Sequence, residues 1–402
     1  MKILHTSDWH LGHRLHEHSQ MEEQTLFLNF LEETIINNKI DILLVSGDIF
    51  DVRNPSSTSL SLYYNFLIKL HNTSCKHIII TAGNHDSPGT IDAPKEILDV
   101  LSIKVVGKST ESIEEEVFKL RLGKEEIIIA ATPYLRDRDI RKAVEGEDFD
   151  DITEKYKKAI ISHYNKLSDY CTSINDNNVP VIAMGHLFAV GGTISDSEQH
   201  IYVGNLGYIG ADDFSDVFDY VALGHLHRPQ KVDNKDYIRY SGSPNVLSFS
   251  ELNYPKKLLQ INTDNKSINI DEIIIPEFRC IVSVKGNFET CIKKIKQIKT
   301  NEYALTPWVE VVLDNTDGAI YGFSEVQKEV EDLDIEVLKV SLKNQKKKQT
   351  REQLLETTRN IKELKPLEIF QMKCKEQDFD LAKNQEILDA FNEVLSIVKE
   401  KS

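Results

Sequence analysis

The chain has 402 residues, enough to bury a large core and to hold more than one domain. Hydrophobic residues make up 40% and charged residues 28%, the balance of a water-soluble globular protein, and no apolar run approaches the length of a membrane span. A formal net charge of −16 excludes a protein that coats nucleic acid by bulk charge, although bound divalent cations and a local basic groove would still permit work on DNA.

Through the first 275 residues short apolar runs alternate with helical stretches. Met1-Lys2-Ile3-Leu4-His5 reaches a polar residue too soon for a signal peptide, so a cytoplasmic location is expected. The first strand runs into Asp8-Trp9-His10. Ile42 to Ser46, His77 to Thr81, Ile127 to Ala131, Val181 to Met184 and Tyr220 to Leu223 are mostly β-branched and read as buried strands. Leu26, Phe27, Phe30, Leu31 and Ile35 fall at helical spacing between two of them. Leu60 to Leu70 is apolar nearly all round, so one face packs on a sheet and a second needs a cover. Ile91, Ile97, Leu98 and Leu101 belong to a neighbouring helix. Leu258 to Ile261 and Ile268 to Ile275 flank a turn and read as a closing hairpin. Repeated strand, loop and helix predict a layered α/β domain over residues 1–275.

A second unit is expected over 276–342. Strands at Arg279–Lys285, Trp308–Leu313 and Ile335–Leu342 alternate with helices at Phe288–Lys299 and Phe323–Glu331, giving a small α+β sandwich. A polar linker follows over 343–366, with Lys343, Lys346, Lys347, Lys348 and Arg351 unbroken by any acid. It reads as a solvated face, with DNA contact as the alternative. Two helices are expected over 367–402, where Ile387, Leu388, Phe391, Val394, Leu395 and Val398 form an apolar stripe. The five cysteines (Cys75, Cys171, Cys280, Cys291, Cys374) are scattered, with no Cys-x-x-Cys pair. That points away from a disulfide framework or zinc knuckle and towards a reducing compartment.

Residues of metal-ligand type follow the predicted strands: Asp8-x-His10, Gly47-Asp48-x-x-Asp51, Gly83-Asn84-His85-Asp86, Gly185-His186 and Gly224-His225-x-His227. Functional groups of α/β sheets gather where strands end. Carboxylates, imidazoles and one amide oxygen suit Mn, Fe or Zn. Two residues apart on an extended segment share a face, so each Asp-x-His or His-x-His pair can converge on one volume. An isolated Asp-x-His is more often a cap beside a surface histidine, and an isolated Gly-Asp is a turn; five in order after five strands are neither. His13, His16 and His18 are read as solvated or supporting histidines.

This motif order resembles the calcineurin-like metallophosphoesterases, and the resemblance implies a two-sheet α/β sandwich with a dinuclear site. It further implies that Asp8, His10 and His227 hold one metal, that Asn84, His186 and His225 hold the other, and that Asp48 bridges both. His85 would serve as acid on the leaving oxygen, with Asp51 orienting it. Thr6 to Gly12, Ser241-Gly242-Ser243-Pro244 and Ser248-Phe249-Ser250-Glu251, together with the two C-terminal units, are similar to the SbcD-type nucleases. Val52-Arg53 after Asp51, and Asp86 after His85, depart from the protein phosphatases of the superfamily.

The resemblance implies a Mn-dependent DNA nuclease of DNA repair and recombination, with 3′-to-5′ exonuclease action on duplex ends and endonuclease action on single strands and hairpins. Residues 276–342 would cap DNA, and residues 367–402 would bind an SbcC-type coiled-coil ATPase. The chain would be nucleoid-associated and homodimeric, through the Leu60–Leu70 and Ile91–Leu101 helices, within a heterotetramer. No Gly-x-x-x-x-Gly-Lys-[Ser/Thr] loop occurs, so ATP dependence would come from the partner. The rival readings are a metallophosphatase or phosphodiesterase for small molecules or phosphoproteins, and a non-catalytic scaffold for DNA and an ATPase.

Overall fold

The structure is a computed structural model that describes residues 1–141, 149–189, 209–264, 267–314 and 322–342. The linker expected over 343–366 and the helices expected over 367–402 lie outside the described residues. The chain divides into two compact units, Met1–Leu342 and Lys343–Ser402, and all described residues belong to the first.

Two six-stranded sheets face each other. The first runs Ser267–Ile274, Lys257–Asp264, Lys2–Thr6, Ile42–Ser46, His77–Thr81, Ile103–Val106. The second runs Gln230–Val232, Lys235–Tyr240, Tyr220–Gly224, Val181–His186, Glu125–Ala131, Val117–Leu122. Neighbouring central strands are parallel in both sheets; antiparallel pairs close both edges of the second sheet and the Ser267–Ile274 edge of the first, while its other edge strand, Ile103–Val106, is parallel. Parallel strands are covered on both faces, which explains the unbroken apolar runs read from the sequence.

Alternation along each strand separates three layers of core. Ile3, Ile42, Leu44, Ile79, Ile129, Ile182 and Met184 pack between the sheets. Leu4, Leu43 and Val45 point outward against helices Met21–Asn38 and Ser57–Leu70. Ile128, Ala130, Val181 and Ala183 point the other way, under helix Phe149–Ile174. That helix is not among the expected elements. Its buried stripe of Tyr156, Ile160, Tyr164, Leu167 and Cys171 is half polar-tipped, so it stands out little in a charged stretch. The hairpin over Lys257–Asp264 and Ser267–Ile274 is as expected.

The apolar helix Ser57–Leu70 buries Tyr63, Phe66, Leu67 and Leu70 in its own domain, with Leu60, Leu62 and Tyr64 partly covered. Ile91 and Leu98 are buried too. What remains outside is smaller than the sequence suggests: Ile68, Ile97 and Val100.

The second expected unit is a three-stranded parallel sheet, Arg279–Gly286, Leu305–Leu313 and Glu336–Leu342. Helices Phe288–Ile295 and Phe323–Val330 lie on it, each shorter at its end than the sequence spacing indicates. It joins the sandwich through Arg279, which is buried, pairs with Glu22 and Glu23 and stacks on Trp308 with its guanidinium 4.0 Å from the ring centroid.

His5 sits in the first strand with Nδ1 3.0 Å from the Tyr220 hydroxyl of the facing sheet. Burial drops its pKa to about 3 from 6.5, against a smaller opposing contribution from the Leu223 main chain. Below pH 6.5 the unfolded chain takes up a proton that the folded chain refuses, so stability is lost as pH falls from 6.5 towards 3. At 1.36 kcal/mol per pKa unit the loss between pH 7 and pH 5 is about 2 kcal/mol. Urea unfolding of the chain and of His5→Gln across that range should differ by this amount. Parallel pH profiles would rule the contribution out.

Candidate metal centre

The loops leaving the central strands of both sheets meet at one edge of the sandwich. Asp8 and His10 follow Lys2–Thr6, Asp48 follows Ile42–Ser46, and Asn84 and His85 follow His77–Thr81. His186 ends Val181–His186, and His225 and His227 follow Tyr220–Gly224. Four of these residues have positive φ: Asp8 at 53°, His10 at 45°, Asp48 at 49° and His225 at 102°. Such conformations cost of order 1–3 kcal/mol each and persist where the surroundings impose them. Here the Asp8 carboxylate accepts from the His225 N–H at 2.9 Å and from Ser7 Oγ at 2.5 Å, and Ser7 Oγ lies 2.7 Å from Ser241 Oγ. Asp48 Oδ1 accepts from the His85 N–H at 2.9 Å. Gly47 stands at φ 82°, and a Cβ there would strike the His186 ring; one on Gly83 would strike the Asp48 carboxylate.

Three groups of side chains converge. Asp8, His10 and His227 present ligand atoms within 4.8 Å of one another, as do Asp8, Asp48 and His186, and also His10, Asp51 and His85. Asn84 Oδ1 lies 3.0 Å from His186 Nε2 and 3.0 Å from His225 Nδ1. Asp48 Oδ2 reaches both sides, 3.6 Å from His10 Nε2 and 3.3 Å from His186 Nε2. The seven residues named as ligands from the sequence therefore share one site, with Asp48 between the two sets.

Asp51 does meet His85, but through its main chain. Its main-chain carbonyl, not its carboxylate, lies 2.7 Å from His85 Nδ1. The carboxylate lies 3.2 Å from His10 Nδ1 and 2.9 Å from His13 Nδ1. The sequence puts the residue beside the other ligand-type residues but cannot say which of its oxygens a turn will aim where. Burial raises the Asp51 carboxyl, but hydrogen bonds from His10 and His13 outweigh it and hold the group far below its usual range.

The electrostatics call for positive charge. Burial lifts the Asp8 carboxyl to about 6, against the opposing pull of His186 and His227. Burial would lift Asp48 as well, but the charge and hydrogen bond of His186, with His85 and His10, hold it well below 3.8. Burial disfavours a charged His186, yet Asp48 and then Asp8 raise it to about 9. Burial, assisted in His225 by the His186 charge, lowers His10 to about 4 and His225 to about 3. Even a proton on His186 would offset only one of the two buried carboxylates, Asp8 and Asp48. His10 Nε2 is buried with no hydrogen-bond partner, while its Nδ1 is held by Asp51. A neutral imidazole fixed at Nδ1 with a bare Nε2 is the form that binds a metal. The donor set therefore fits divalent ions on both sides of Asp48.

Comparison with known proteins agrees with this geometry. The family model of the calcineurin-like phosphoesterases matches residues 1–229, and the model described as the Type 5 capsule protein repressor C-terminal domain (SbcD_C) matches residues 277–378. The SbcD subunit of the nuclease SbcCD from Escherichia coli (strain K12) is 30% identical over 400 residues, 98% of each chain. This chain belongs to the SbcD family of calcineurin-like phosphoesterases. The protein of the same name from Bacillus subtilis (strain 168) is 33% identical over 264 residues, 64% of this chain and 65% of that one. The one from Rhodobacter capsulatus is 33% identical over 266 residues, 63% and 64%.

In this SbcD-family chain several supporting residues carry no assigned role in the sequence reading. Glu251 is fully buried, lies 3.1 Å from His227 Nδ1, and pairs with Lys256 at 2.6 Å. It comes 24 residues after His227, and no spacing rule links the two. Asp86 accepts from the N–H groups of Ile49, Phe50 and Gly83, tying the Asp48 loop to the Asn84 loop. Arg136 donates to the Asp86 carbonyl at 3.0 Å. A ligand-like Asp beside two motif residues is visible in the sequence; its role as a brace is not, because backbone donors leave no mark there.

Proposed function

We propose that this chain is the nuclease component of a DNA-end-processing complex. One observation carries the reading: two sets of ligand-type side chains, one around Asp8 and one around Asn84, share the carboxylate of Asp48. Asp8, His10 and His227 would hold one divalent ion, Asn84, His186 and His225 the other, and Asp48 both, with Mn the best match to mixed oxygen and imidazole donors. Two such ions, when bound, activate a water and draw charge from the leaving oxygen of a phosphodiester. With Nδ1 of His85 donating to the Asp51 carbonyl, its Nε2 is the atom that passes a proton to that oxygen. Asp51 and Glu251 keep His10 and His227 in the tautomer that turns Nε2 inward.

The relatives' printed name, that of a subunit of the nuclease SbcCD, supports a nucleic-acid substrate and an SbcC partner. DNA would be cut from duplex ends in the 3′-to-5′ direction and within single strands and hairpins, in complex with an SbcC-type coiled-coil ATPase. Residues 1–275 would form the nuclease domain, 276–342 the cap over DNA, 343–366 the linker and 367–402 the segment that grips the ATPase. Exposed Ile68, Ile97 and Val100 support a homodimer within a heterotetramer. No helix among the described residues is long and apolar enough to cross a membrane, which agrees with cytoplasmic work on the nucleoid.

The test is digestion of closed-circular single-stranded DNA and of linear duplex by the purified protein, with Mn and with EDTA. Mn-dependent cutting is expected. Hydrolysis of a small aryl phosphate without DNA cutting would favour the small-molecule rival, and no hydrolysis of either would favour the scaffold. His85→Gln should keep both metals and cut about 10²–10⁴-fold more slowly, the usual worth of a general acid. A fall in bound metal would make His85 a ligand instead.

A further inference from the structure

With a net charge of −16, the protein offers its positive side chains acids in excess. Arg14, Arg121, Arg138, Arg141, Arg239 and Arg279 each pair with one. Among the described residues the arginines without an acid partner are Arg53, Arg136 and Arg228. All of them border the metal centre. Arg228 directly follows His227. Arg53 comes two residues after Asp51, whose carbonyl lies 2.7 Å from His85 Nδ1. Arg136 donates through Nη2 to the carbonyl of Asp86, the residue after His85, at 3.0 Å.

Two of these arginines are otherwise engaged. Arg136 is buried and tied to Asp86. Arg228 holds its guanidinium 5.5 Å from the centroid of the Tyr254 ring, a cation–π contact. Arg53 is exposed and makes no hydrogen bond, ion pair or ring contact among the described residues. Its charge is nevertheless felt by a neighbour. Burial lowers the Arg136 guanidinium from its usual range; Asp139 opposes this, and the charges of Arg53 and Arg138 deepen it. Like charges close enough to sense each other are unfavourable, and an anion set beside them removes the penalty. Arg53 and Arg136 are thus attached to the two segments that hold His85, and of the two only Arg53 is open to solvent.

We infer that Arg53 binds the phosphate next to the scissile one, on the side of the leaving oxygen. The inference rests on the nuclease reading and adds to it the point at which the strand is held. The scissile phosphate belongs to the metals, and His85 marks the side where the leaving oxygen takes its proton. A small ester has no second phosphate there, whereas a nucleic-acid strand carries one at the next nucleotide. A guanidinium fork matches the oxygens of a phosphodiester. A contact remote from the reacting bond holds the strand equally before and during reaction, so its loss belongs in KM rather than kcat.

The experiment is Mn-dependent cutting of a single-stranded oligonucleotide with a mapped cut by the full-length protein. Arg53→Gln should raise KM about tenfold, the loss of one charge-assisted contact, with kcat held within about twofold. The dependence of log KM on log salt should flatten by roughly 0.7, the share of one phosphate contact on a single strand. An uncharged methylphosphonate at the linkage next to the cut, on the leaving-oxygen side, should cost the parent about the same tenfold and cost Arg53→Gln little more, because both remove one interaction. The same replacement on the other side of the cut should cost both proteins alike. Unchanged KM in Arg53→Gln, a loss confined to kcat, additive losses from the variant and the methylphosphonate, or no loss from the methylphosphonate in the parent would each overturn the inference and leave the nuclease reading standing. A parent protein that cuts no oligonucleotide would remove both.

Discussion

Asp48→Asn is expected to abolish metal-dependent cutting while leaving the chain folded. The substitution keeps the shape of the side chain and an oxygen that can still accept from the His85 N–H, so the loop after Ile42–Ser46 has no steric reason to move. What changes is charge. One Asp48 carboxylate oxygen lies 3.6 Å from His10 Nε2 and 3.3 Å from His186 Nε2, and with Asp8 it supplies negative charge to the buried site. A neutral amide removes one of those negative charges. Two cations held close together in a buried pocket repel strongly unless an anion sits between them, so at least one should be lost. Removing one group that stabilises transition-state charge costs about 10²–10³-fold, and losing an ion costs more. Metal content by elemental analysis after Mn loading should fall from two equivalents to one or none, with cutting at least about a hundredfold slower. Two equivalents of Mn and parental cutting in this variant would sink the two-metal assignment.

Glu251→Ala should damage both stability and metal binding, which separates it from every ligand substitution. The carboxylate is fully buried, yet it is held well below 4.5. Burial opposes the charge, while Lys256 and the hydrogen bond from His227 outweigh burial. It also accepts from the Leu247 N–H at 3.2 Å and from Ser243 Oγ at 3.4 Å. Truncation leaves Lys256 buried without its acid partner, and breaking a buried pair from one side costs about 3–5 kcal/mol. It also frees the His227 ring to turn. Loss of a carboxylate behind a metal-binding histidine typically weakens the metal about 10–100-fold. Thermal unfolding with EDTA measures the first effect and Mn titration the second. Glu251→Gln should retain part of both, since an amide oxygen can still accept from His227. If Glu251→Ala melts with the parent and binds Mn with parental affinity, the brace has no function.

Much of the site was legible in sequence, because metal ligands are side chains of few types that follow strands at fixed short spacings. Asp8-x-His10 and His225-x-His227 announce themselves by a two-residue period, and Asp48, Asn84 and His186 by the glycine that each ligand's close approach requires. The parallel core strands were legible for a related reason: a strand buried on both faces must be apolar at every position, as Ile42–Ser46 and His77–Thr81 nearly are. The same logic failed for the helix Phe149–Ile174, whose buried stripe relies on tyrosines and a cysteine.

Tertiary structure alone decided what holds the ligands. Glu251 reaches His227 across 24 residues, Ser241 reaches Ser7 across 234, and Asp86 works through backbone N–H groups that every residue but proline owns. Asp51 shows the distinction within one residue. Its presence at the site followed from Gly-Asp-x-x-Asp, but which histidine its carboxylate braces depended on φ and ψ of a turn. The left-handed backbone at Asp8, His10 and Asp48 belongs to the same class: aspartate and histidine tolerate it better than most residues, but only the closed ring of partners makes it the stable conformation there. Sequence determines which chemistry can gather at a strand end; the packing of two sheets against each other determines which atoms face it.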